Sequence, residues 1–159
     1  MVRPSWYFLL NLLNAMFNTP ATTGAGTTCY CGLFTAVSGT YNVGTTLAQL
    51  TEASYSGYAR QSLAPGSAKW QSSFESSDGL AVSEAAVLLS FRPSAGNTIN
   101  QQIIGWFVCD NSTTTTANLL FGEVLAQQVA LNSSASACNV AVRFGFDPSA
   151  NYDTAGVGS

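Results

Sequence analysis

The chain has 159 residues, the size of one domain with one core, and its apolar content of 47% excludes a disordered polypeptide. Charged residues are only 8% of it, 5 basic and 8 acidic, where roughly 25% is usual. So little charge suits a subunit covered by its neighbours better than a freely soluble monomer.

The five cations, Arg3, Arg60, Lys69, Arg92 and Arg143, are scattered along a chain of net charge −3. Phosphate recognition needs them clustered, so no nucleic-acid partner is expected. Histidine is absent, which excludes Ser-His-Asp and Cys-His catalysis and His-ligated metals. Acidic residues such as Glu75, Asp78 and Glu84 lie in turn-rich contexts and read as solvated carboxylates rather than a hydrolase pair. No catalytic residue, cofactor or metal is expected.

In chain order, residues 6–17 are apolar but interrupted by Asn11 and Asn14. A secretion signal fits this run poorly, and it is too short to cross a bilayer, which takes about 20 residues. With Ser5 as N-cap and Pro20 beyond the end, the reading is a short helix over 5–18 buried in a core or interface. No membrane partner is expected.

Short β-rich runs separated by turn residues follow. Thr27 to Val37 reads as a strand, residues 40–56 as a loop with a turn of helix, and Ser56 to Leu63 as a second strand. Trp70 to Phe74 and Ala85 to Phe91 are further strands. Gln102 to Cys109 is apolar on both faces, as in a central strand, and Leu119 to Leu125 is its hairpin partner across a Thr-rich turn. Cys138 to Phe146 alternates, with Cys138, Val140, Val142, Phe144 and Phe146 on one side. The expected fold is therefore mainly β: an antiparallel sandwich or barrel of six to seven strands with a short N-terminal helix.

Cys29, Cys31, Cys109 and Cys138 are not spaced as two metal-binding pairs, and they read as small core residues. A Cys109–Cys138 bridge is the alternative in an oxidising compartment. Residues 1–146 form one domain. Residues 147–159 are a Gly/Ala/Ser-rich tail with too few apolar side chains to offset an ordering cost of about 1–2 kcal/mol per residue. Such a tail is expected to be held by a neighbouring subunit through Tyr152 and Val157.

Five blocks carry a resemblance. They are Leu9-Leu10-Asn11-Leu12-Leu13, Tyr30-Cys31-Gly32-Leu33-Phe34-Thr35 and Ser56-Gly57-Tyr58-Ala59-Arg60-Gln61, then Ile104-Gly105-Trp106-Phe107-Val108-Cys109-Asp110 and Asn118-Leu119-Leu120-Phe121-Gly122-Glu123. In order and spacing, over about residues 7–125, they resemble a small β-rich family of tailed-bacteriophage virion proteins, some tail-fibre-like and some capsid-associated.

The resemblance implies a virion structural protein. A capsid cement or decoration protein on the head surface is the leading expectation. Its partners would be the major capsid protein and copies of itself, as a trimer or other small symmetric cluster. A tail, neck or fibre component is the alternative. A receptor- or carbohydrate-binding module using Tyr41, Tyr55 and Tyr58 is a third reading. Tyr58, Arg60 and Gln61 of the distinctive block are the expected interaction residues, together with Tyr152 and Val157. Arg60 could equally bind backbone carbonyls within the fold.

Overall fold

The two 9-residue segments that are apolar on both faces lie side by side at the centre of the fold. In the computed structural model, β1 (Cys29–Val37) and β7 (Gln101–Cys109) pair antiparallel, with Tyr30 opposite Cys109 and Phe34 opposite Gly105. The structure describes residues 14–18, 28–42, 44–66, 68–71, 73–75, 77, 80–94 and 99–146.

Between β1 and β7 in the chain lie β2 (Leu50–Glu52), β3 (Gln61–Leu63), β4 (Phe74–Glu75), β5 (Ala81–Glu84) and β6 (Leu89–Phe91). After β7 come β8 (Leu119–Leu131), β9 (Cys138–Val140) and β10 (Arg143–Phe146). The main sheet runs β2-β1-β7-β8, with β3 sharing the β1 edge with β2. A second sheet runs β10-β5-β4, and β6 pairs with β9. Every pairing is antiparallel. The mainly β, antiparallel expectation is met. The sheet does not close into a barrel: β8 ends it, with no second neighbour among the described residues.

Both faces of the main sheet are covered. Cys29, Cys31 and Leu33 of β1 and Trp106 and Val108 of β7 belong to the larger core. So do Ala81, Leu89, Phe91, Val140 and Val142 from the smaller sheets and the segments joining them, an arrangement that fits a sandwich. On the opposite face Phe34, Phe107 and Cys109 form a smaller core with Leu47 and Leu50. A 3₁₀ turn, Leu47–Gln49, leads into β2 there, as the expected turn of helix within 40–56.

Two reciprocal pairs let the central strands lie close together. Phe34 is opposite Gly105 and Phe107 is opposite Gly32. A Cβ on Gly105 would strike the Phe34 ring, and one on Gly32 would strike the Phe107 ring. Each aromatic thus lies over the glycine across from it and fills the space a side chain would take.

Several expected elements differ. The helix over 5–18 is described only at Asn14–Asn18, and there it is a single π-helical turn. Its Asn14 side chain accepts the Ser73 N–H at 3.0 Å, while Phe17 stacks on Trp70 with ring centroids 4.3 Å apart. The strand expected over 56–63 is reduced to β3, because Gly57 takes a positive φ of 86° that no strand adopts. Trp70 makes only a bridge to Ala85, and the run expected over 85–91 is a strand only at β6.

The alternating segment from Cys138 divides into β9 and β10, which join different sheets. At the break the Val142 carbonyl accepts the Ala85 N–H at 2.8 Å. Its inward side chains keep their alternation: Cys138, Val140 and Val142 are buried. The tail from 147, with Tyr152 and Val157, lies outside the described residues.

All four cysteines are buried thiols outside any disulfide, as expected of small core residues, and Cys109 and Cys138 are not bridged. Burial pushes Cys29 up to about 11 and raises Cys31 further, and Cys109 and Cys138 are raised for the same reason. Tyr55 is pushed up to about 12, chiefly by burial. Tyr58 is raised as well, by burial first and then by the Glu52 carboxylate.

A group whose pKa is higher in the folded chain holds its proton after the unfolded chain has released it. Stability is therefore full below the unfolded values, about 8.5 for thiols and about 10 for tyrosine, and is lost as pH rises above them. The midpoint of urea unfolding should hold from pH 7 to about 8.5 and then fall with increasing slope to pH 11. A midpoint that stays flat to pH 11 would contradict these burials.

Candidate functional site

The Ser56–Gln61 block connects β2 to β3 along the β1 edge. β3 pairs with β1 at residues 29–31 and β2 pairs with it at 34–37, which leaves a gap at Leu33. Tyr58 fills the gap. Its hydroxyl accepts the Leu33 N–H at 2.9 Å and donates to Glu52 Oε1 at 2.7 Å. Gly57 makes the turn that aims it, and a Cβ there would run into the Ser94 side chain.

Arg60 follows two residues later and turns inward, with its side chain only 2% exposed. Nε and Nη2 form a fork on the Glu52 carboxylate at 2.9 and 2.7 Å. Nη1 donates to the carbonyls of Asn111 and Thr114 at 2.8 and 3.1 Å and reaches Cys109 Sγ at 3.5 Å. The guanidinium lies over the Phe107 ring, 5.3 Å from its centroid. Glu52 raises the guanidinium pKa further by accepting these bonds, so the cation is permanent.

One side chain therefore binds the β2 end, the central strand and the β7–β8 turn together. The turn is also held from within. Asn111 Oδ1 accepts the Thr113 N–H at 3.0 Å, and the Asp110 carboxylate accepts the Asn118 N–H and side-chain amide at 2.9 and 2.6 Å. These donors hold the Asp110 carboxyl below its usual range.

Gln61, half-buried on β3, donates from Nε2 to the Ser90 carbonyl of β6 at 2.8 Å and so links the main sheet to the β6–β9 pair. Tyr58, Arg60 and Gln61 are thus close in space as well as in sequence, and each makes an internal bond. Tyr55 is buried and meets Tyr58 edge to face at 5.3 Å, so neither presents an open stacking surface. Glu52, Asn111 and Thr114 are not singled out by the sequence. The one available signal was that a buried arginine requires a carboxylate.

The exposed apolar surface lies elsewhere. Leu120 and Val124 of β8 are 46% and 44% exposed. Beside them a shallow groove is lined by Tyr41, Asn42, Thr45, Leu119 and Gly122. Among the described residues, no cluster of His, Cys, Asp or Glu could hold a metal ion, and no helix is long and apolar enough to cross a membrane.

No curated protein and no solved structure matches the chain significantly. A family model does, that of the Podophage GP4 fiber I protein gp80, over residues 4–142. That match takes in the β1 edge, the Arg60 clamp and all of β8. The chain belongs to this family and is a structural protein of a tailed-phage virion.

Proposed function

We propose that the protein is a fibre subunit of a podophage virion, without enzymatic activity, that assembles with copies of itself. The observation that carries this reading is the match over residues 4–142 to a family of fiber proteins. The low charge of 8% suits any subunit covered by neighbours and does not single out a head lattice. The fibre reading therefore stands ahead of a cement on the head surface with the major capsid protein as partner.

The Arg60 clamp supports a scaffold role. It spends a buried cation on loop carbonyls and on Glu52, inside the subunit. Tyr152 and Val157 are proposed as tail contacts to a neighbouring subunit.

The test is antibody labelling of intact particles under the electron microscope, with copy number taken from the protein bands. Label confined to fibres, at few copies relative to the major capsid protein, is expected. Label spread over the head would favour the cement reading instead.

A further inference from the structure

The β8 edge of the main sheet carries a pattern that fits itself. β8 is 13 residues long, has no second strand beside it among the described residues, and bears one charge, Glu123. Natural edge strands are normally guarded by lysines, prolines, bulges or short length. Here irregularities of register interrupt the β7 pairing on either side of Phe121–Val124, and that stretch is regular. The exposed Leu120 and Val124 flank Gly122 by two residues on each side.

We propose that Leu120–Val124 pairs antiparallel with the same segment of a second copy, about a two-fold axis at Gly122. An axis perpendicular to the sheet keeps each residue on its own face, so only residues of like face can be opposed. With the axis at Gly122, Leu120 faces Val124 of the copy and Val124 faces its Leu120. Phe121 faces Glu123 of the copy, and Gly122 faces itself. Both exposed apolar side chains gain an apolar cross-strand partner, and the two carboxylates stay apart. Moving the axis to Glu123 would bring the two carboxylates face to face, and moving it to Phe121 would leave Leu120 opposite glycine. Among axes within the regular stretch, the one at Gly122 is therefore favoured.

Gly122 is held as glycine from within the subunit: a Cβ there would strike the Trp106 carbonyl and the Tyr41 hydroxyl, each under 3 Å away. The two main sheets would join into one across the axis, with main-chain hydrogen bonds supplying adhesion.

This pairing rests on the reading that copies of the chain assemble, not on where in the virion they do so. Label on the head would overturn the fibre location alone; a monomeric chain would overturn the pairing and the self-assembly but leave the fibre location standing.

Sedimentation of the full chain at tens of micromolar should show a dimer. L120K and V124E should each weaken self-association at least tenfold with unchanged circular dichroism. The double variant L120K/V124E should recover most of it, since each lysine would then face a glutamate of the copy. A monomeric wild type, whether or not its own residues 147–159 cover β8, would overturn the proposal. So would a trimer, or a double variant no better than the singles.

Discussion

Arg60→Ala should lower the stability of the full chain by about 3 kcal/mol, at the low end of the range for breaking a buried ion pair. The low end applies because the Glu52 side chain keeps 25% of its exposure and water can reach part of the orphaned carboxylate. The loss has three sources. Glu52 loses its fork, the Asn111 and Thr114 carbonyls lose their donor, and the Phe107 ring loses the cation above it. For a chain of this size the melting temperature should drop by about 6–12 °C. Arg60→Lys keeps the charge but not the planar fork, and should cost about 1–2 kcal/mol. Arg92→Ala, at an exposed position, should stay within about 0.5 kcal/mol and serves as the control. Chemical denaturation of the three variants checks the order. An R60A midpoint equal to that of R92A would show the clamp to be energetically idle.

The central strands were legible because they are long and apolar on both faces: β1 and β7 lie within two residues of their expected bounds. β2, β4 and β5 are two to four residues long and were not legible as such. A period of two needs more residues than that to show, and such strands are fixed by what they pair with. Leu88 misled for the opposite reason. It sits in an apolar run but is 62% exposed, so apolar content alone lengthened the expected strand over 85–91.

Of the site, the Tyr58-Ala59-Arg60-Gln61 block was visible, and its chemistry was not. Arg60 meets its loop acceptors 51 and 54 positions away in the chain. Nothing local marks Asn111 or Thr114 as its partners. The sequence marks β8 only to Leu125, yet it runs to Leu131, because the irregular register after Val124 breaks the alternation that would announce its second half.

The largest effect of adding a single methyl group is expected at Gly105. Gly105→Ala should destabilise the chain by about 3 kcal/mol, the upper part of the usual range for overpacking. The new Cβ would meet the Phe34 ring and the Glu123 carbonyl oxygen together. The ring can shift, but the carbonyl belongs to the strand that pairs with β7. Phe34→Leu in the same chain should therefore recover less than half of the loss, and a double-mutant cycle measures how much. The remainder must appear as separation of β8 from β7, read as faster amide exchange over residues 119–124 than at β1. That strand is also the one proposed to meet the second copy, so G105A should weaken dimerisation although Gly105 lies one strand inside the edge. Full recovery by Phe34→Leu would place the strain in the aromatic ring alone. G105A that dimerises like the wild type would separate the β7–β8 contact from the assembly edge.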